Sequence, residues 1–115
     1  MNTQNMSQKV KSLQTNLIFK QSVRISDALA SNTRQSILAL LKTYGPLTTA
    51  SIVTTLSMKQ STISRHMSLL KSAGIVDTLK NQGKTVVYTF DELNFIKGLE
   101  YNRRALDVLR QPETL

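Results

Sequence analysis

The apolar positions of this chain keep a helical period for most of its length, alternate briefly, then return to the helical period. Val10, Leu13 and Leu17 stand at i, i+3 and i+7, the spacing of a helix with one buried stripe, and Lys9, Lys11 and Lys20 lie on its other faces. Ile25 and Leu29 continue the pattern, with a break near Ser26 and Asp27 left open. Residues 1–8 are polar and without period, and a flexible N-terminal tail is expected there, ahead of one domain over 9–111. Asn32 reads as a helix cap, with Gln35 three residues on to reciprocate. The helix after it presents Ile37, Leu38, Leu40 and Leu41, and Gly45 and Pro46 stop it. Thr48 caps a short third helix whose apolar side is Ala50, Ile52, Val53 and Leu56.

The stretch KQSTISRHMSLLKSAGIV, residues 59–76, follows a tight connection at Ser57 and Met58. Ile63, Met67 and Leu70 recur at i, i+4 and i+7 and must face inward. Gln60, Ser61, Ser64, Arg65, Ser68, Lys71 and Ser72 are left outside, and Gly74 ends the helix. The period then drops to two. Residues 75–80 and 84–90 read as strands of a β-hairpin joined by Asn81, Gln82 and Gly83, with Lys80 and Lys84 beside the turn. Asp91 caps a final helix over about 92–110. In it Phe95, Leu99, Asn102, Leu106 and Leu109 are spaced 4, 3, 4 and 3, a heptad-like seam with one Asn inside. That seam either folds back on its own chain or pairs with a second copy. Its length, beside a core already served by the other helices, favours a dimer.

Charge changes this picture from a generic helical domain to a binding surface. The 115 residues hold 15 Lys plus Arg against 7 Asp plus Glu, a formal net charge of +8, so a polyanionic partner is expected. Between Ala28 and Val76 there is no acidic residue, while Arg34, Lys42, Lys59, Arg65 and Lys71 fall in that span. The outer positions of 60–73 are small hydroxyls and amides, which propagate a helix less well than Glu or Lys but let a groove come close. Three short helices, a basic hairpin and long flanking helices describe a mainly α winged helix-turn-helix, and the second helix of such a pair enters the major groove of double-stranded DNA.

Other classes are narrowed by what is absent. There is no Cys, which removes disulfides and thiolate metal sites. The N-terminal residues lack the apolar core of a signal peptide, and no apolar run reaches a membrane span, so a cytoplasmic location and no membrane partner are expected. A single His, His66, no Gly-rich phosphate loop and no nucleophile–base pair argue against an enzyme. A winged-helix module whose basic face meets an acidic protein stays open as the alternative, and so does the identity of any effector.

The segments ALASNTRQSILALL, KQSTISRHMSLLKSAGIV and NQGKTVVYTF, in that order, resemble the ArsR-type (arsenic-repressor-like) bacterial regulators over about residues 26–90. The resemblance implies a homodimeric DNA-binding repressor on an imperfect palindrome, paired through its first and last helices. Carried over residue by residue, it places Gln60, Ser61, Thr62, Ser64 and Arg65 on DNA; the charge pattern itself sets Lys59 and Lys71 on phosphate, and Lys80 and Lys84 along the neighbouring backbone or minor groove. The pairing surface is then Val10, Leu13, Leu17, Phe95, Leu99, Asn102, Leu106 and Leu109. Lys59 departs from the usual Ser or Thr at the helix cap. Many members carry a Cys-x-Cys pair where this chain reads LTTASIV, residues 47–53, and others use His with carboxylates in the last helix, where this one has Asp91, Glu92, Glu100 and Asp107 but no His. A metal-independent member without a cofactor is expected.

Overall fold

The computed structural model describes residues 3–80 and 85–110, and side chains over 6–79 and 85–110. The elements run α1 (Thr3–Leu29), α2 (Asn32–Tyr44), β1 (Leu47–Thr48), α3 (Thr49–Leu56), α4 (Gln60–Ser72), β2 (Val76–Lys80), β3 (Val86–Phe90) and α5 (Glu92–Leu109). This is the winged helix-turn-helix arrangement, five helices with a small antiparallel sheet.

The local signals explain most of the boundaries. Gly45 adopts a positive φ of 82° and its N–H closes on Leu41 O at 3.0 Å, ending α2. Thr48 Oγ1 accepts from Ser51 N and opens α3. Ser57 takes a left-handed conformation as the cap after α3. At the end of α4, Gly74 N–H donates to Lys71 O and Ile75 N–H to Leu70 O, the paired bonds of a Schellman turn with Gly74 at φ 76°. Asp91 Oδ1 accepts from Asn94 N at the start of α5.

Three expectations need correcting. The cap of α2 is Ser31, whose hydroxyl accepts from Arg34 N; Asn32 is already helical, and Gln35 reaches back to Leu29 O rather than to a cap amide. Ser and Asn cap equally well, and the extended backbone at Ser31 decides between neighbours. The first helix is unbroken at Ser26 and Asp27, and it begins at Thr3, inside the segment expected as a tail. The sheet has a third strand, because Leu47 and Thr48 pair with Tyr88 and Val87 at the outer side of β3. The hairpin tip at 81–84, with Lys84, lies outside the described residues, as does the side chain of Lys80.

The core joins the end of α1, through Ile25 and Ala28, to α2, α3, α4 and the sheet, and Ile37, Ile52, Ile63, Met67, Leu70 and Ile75 have no solvent exposure. Burying six such side chains is the main drive for this unit, at roughly 1.5–3 kcal/mol each before the entropy of ordering is set against it. A second layer is built from the two ends of the chain. Helix α1 packs antiparallel on α5, with Ile25 against Gly98, Ser22 Oγ donating to Asn102 Oδ1 at 2.6 Å, and Ile18 and Ala105 both buried. The facing pairs Ile25–Gly98 and Ser22–Asn102 set the antiparallel register of the two helices.

Candidate nucleic-acid interface

Helix α4 owes its position to three residues. Ile63, Met67 and Leu70 are wholly buried, and at 100° per residue they fix the rest of the helix surface. Ser61, Arg65, Ser68 and Ser72 point directly away from the core and are exposed. Ser64 and Lys71 flank them on one side, Thr62 and His66 on the other; Thr62, Ser64 and His66 are half-buried. Lys59 and Gln60 are exposed at the start of the helix. Lys59 supplies no capping oxygen, so the first-turn amides retain their partial positive charge. The outer face is thus short, hydroxyl-rich and cationic, and among the described residues no carboxylate pairs with Lys59 or Arg65.

The basic residues expected to build the field do not all serve it. Lys42 Nζ lies 2.9 and 2.8 Å from the two Glu92 oxygens, so an acidic residue distant in sequence neutralises it. Lys71 donates to Thr78 Oγ1 at 3.2 Å, which ties α4 to β2 and leaves two ammonium protons unengaged by that bond. Arg34 is held inside the fold. Its Nε donates to Ala28 O at 2.8 Å, Nη2 to Asp27 O at 2.6 Å, and Nη1 lies 3.0 Å from His66 Nδ1. His66 has its pKa lowered from 6.5, first by partial burial, then by the charges of Arg34 and Arg65.

The expected pairing surface separates into two groups. Val10, Leu13, Leu17, Leu99, Leu106 and Leu109 are exposed, as is Met6, which the sequence reading did not include. Phe95 and Asn102 face their own chain instead. Phe95 packs edge-on against Phe90 with ring centres 5.6 Å apart, and Asn102 accepts the Ser22 hydroxyl. The outer charges of α5 neutralise one another, since Arg103 bonds Glu100 at i−3 and Asp107 at i+4. Among the described residues no cluster of three or more His, Cys, Asp or Glu is disposed around a common point. No described helix is long and apolar enough to cross a membrane.

Residues 29–78 match the family described as a helix-turn-helix domain. The chain is 34% identical over 74 residues to an HTH-type transcriptional regulator of Methanocaldococcus jannaschii, across 64% of this chain and 83% of that protein. It is 38% identical over 66 residues to the arsenical resistance operon repressor of Escherichia coli K12, across 57% of this chain and 56% of that protein's length. The chain belongs to the ArsR-type helix-turn-helix transcriptional regulators. A solution structure of a homodimeric winged helix-turn-helix DNA-binding domain from Mycobacterium bovis, described as a possible ArsR-family regulator, superposes with a TM-score of 0.64 at 27% identity. It covers 82% of this chain and 86% of that one. This ArsR-type protein is a transcriptional regulator with a DNA-binding winged helix-turn-helix.

Two features of its site escaped the sequence reading. The Arg34–His66 contact joins residues 32 apart, which no local spacing reveals. Its nearest sequence signals were a lone His placed on the flank of an otherwise hydroxyl-rich helix and an Arg three positions after a Ser. The neutralisation of Lys42 came from Glu92, outside the acid-free span.

Proposed function

We propose that this ArsR-type regulator acts as a homodimeric repressor on an imperfect palindrome of double-stranded DNA, without a metal-sensing site. Gln60, Ser61, Thr62, Ser64 and Arg65 read base edges from the major groove. Lys59, Lys71, Lys80 and Lys84 hold phosphates. The observation that carries the reading is the outer face of α4, where an uncompensated Arg65 rises from a bed of serines. Short side chains admit the groove, and a guanidinium can donate to guanine O6 and N7 together. The dimer rests on Val10, Leu13, Leu17, Leu99, Leu106 and Leu109, an apolar surface that the described residues leave uncovered. Independence from metal is supported by donor chemistry: the chain has no thiolate to offer, and its one imidazole is engaged by Arg34.

Fluorescence anisotropy with the duplex upstream of the protein's own gene, beside a scrambled duplex of equal length, tests the reading. Tighter binding to the native duplex should survive 150 mM salt, and neutralising about 6–10 phosphates should weaken it roughly 10³–10⁵-fold between 50 and 200 mM. Equal binding to both duplexes that vanishes with salt would favour an acidic protein as the true partner. Sedimentation of the free protein should give a dimer, and Leu13→Glu should give a monomer.

A further inference from the structure

The three bonds of Arg34 converge on one junction. Two go to carbonyls in the last turn of α1, Ala28 O and Asp27 O, the latter also accepting from Ala30 N–H at 3.2 Å. The third goes to His66 Nδ1 on the flank of α4. Arginine donates in every one of its hydrogen bonds, so Nδ1 must accept and the ring proton sits on Nε2. A protonated imidazole has no lone pair to offer, and it would place two cations 3.0 Å apart.

We propose that Arg34 is the positioning residue of the reading helix, holding α4 through His66 against the C-terminal carbonyls of α1, and that the hold lasts only while the imidazole is neutral. The proposal rests on α4 being the reading helix, as above. It couples the two layers of the molecule. Helix α1 exposes Val10, Leu13 and Leu17 along its first half, while its last turns, through Ile25 and Ala28, share the core that seats α4.

The surroundings of His66 set the sign. Arg34 from α2 and Arg65 from α4 itself both disfavour the imidazolium. Helix α3, packed along α4, carries no titratable side chain. From α1, Arg24 and Asp27 line the cleft beside Leu69 and Ser72, and from the sheet Asp77 stands near the far end of α4. With the folded pKa lowered, the unfolded chain takes up its proton first, near 6.5. Stability contributed by the neutral ring is therefore complete above that value, falls as pH drops through it, and levels off below the lower folded value. An unclamped histidine on a DNA-facing helix would behave oppositely toward DNA, since each new positive charge favours phosphate.

Because His66 is the only histidine, tag-free protein gives one pair of ring nitrogens in a long-range ¹H–¹⁵N spectrum. At pH 7.5 Nδ1 should be unprotonated and Nε2 protonated, with a midpoint below 6.5 that moves back toward it in Arg34→Gln. A protonated Nδ1 at pH 7.5, or a midpoint indifferent to Arg34→Gln, overturns the clamp whatever the protein does with DNA. In anisotropy at 150 mM salt, wild type should lose about tenfold in affinity for the native duplex as the pH is taken from above to below the midpoint read in that spectrum, the size of one lost charge-assisted bond. His66→Asn, which keeps an acceptor near the Nδ1 position and cannot titrate, should hold its affinity across that range. Tighter wild-type binding below that midpoint, or parallel profiles for the two proteins, overturns the proposal. Arg34→Gln should weaken the native duplex with its salt slope unchanged; a slope smaller by about 0.9 would show Arg34 on a phosphate and overturn the positioning role. Absence of any preference for the native duplex, with the ring nitrogens as expected, would remove the reading helix itself and the positioning role with it.

Discussion

Helices α4 and α5 are both amphipathic, both carry arginines on their outer sides, and yet they handle those charges in opposite ways. On α5, Arg103 is bracketed by Glu100 and Asp107, and Arg104 lies 6.0 Å from the ring centre of Tyr101. On α4, Arg65 has serines around it and no carboxylate partner among the described residues. A face that neutralises itself is finished in water. A face of one sign, built from residues that are mediocre helix formers, has its counter-charge outside the molecule. An exposed arginine can therefore mean opposite things, and the neighbours at i±3 and i±4 decide which.

The comparison can be broken hardest from beneath. Ile63→Ala opens a cavity under α4 at a site with no exposure, and urea denaturation should show a loss of about 2–5 kcal/mol, enough to unfold much of a marginally stable domain. The corresponding change under α5 is Gly98→Val. Any added side chain there runs into Ile25, and overpacking should cost about 1–3 kcal/mol in the same assay. Arg65→Ala should leave urea stability near wild type. It should lose about 1–3 kcal/mol of discrimination at one base pair, read by anisotropy on single-substituted duplexes. Arg103→Gln should change neither property measurably, because its partners are exposed and a surface network adds little. Its one visible effect belongs to Glu100, whose pKa is lowered first by the hydrogen bond from Arg103, with desolvation opposing and the charges of Arg103 and Arg104 assisting. A lowered carboxylate adds stability above its unfolded value and loses it as pH falls, so the variant should be slightly less sensitive to acid than wild type. Should Arg103→Gln weaken DNA binding as Arg65→Ala does, the distinction between the two helices would fail.

Much of this was legible in the sequence, and the rest was illegible for physical reasons. Ile63, Met67 and Leu70 were found by spacing alone, since a helix has only one way to bury i, i+4 and i+7. Gly45, Thr48, Gly74 and Asp91 marked their boundaries because caps and left-handed turns are decided by the residue on the spot. What failed was non-local or too short. β1 is two residues long, below any alternation. Asn102 sat in the seam by spacing, but Ser22 turned it inward from 80 positions away. The polar opening of α1 showed no period, and the structure carries the helix through it. Of the DNA-facing candidates, residue type and exposure agree for Lys59, Gln60, Ser61 and Arg65, whereas the engagement of Lys71 with Thr78 was a tertiary fact.

The pairing of α1 with α5 has a consequence in time. A ribosome adds roughly 5–20 residues per second, so the 80 positions between Ser22 and Asn102 delay their meeting by about 4–16 s. Helix α2 through β3 is complete before α5 exists, and the core that seats α4 can form within that interval. During the same interval Ile25 and Ala28 can already join α2 and α4 in the core, while Ile18 and the exposed Val10, Leu13 and Leu17 wait in water. The layer that joins the two ends of the chain is the last part of the molecule to be finished.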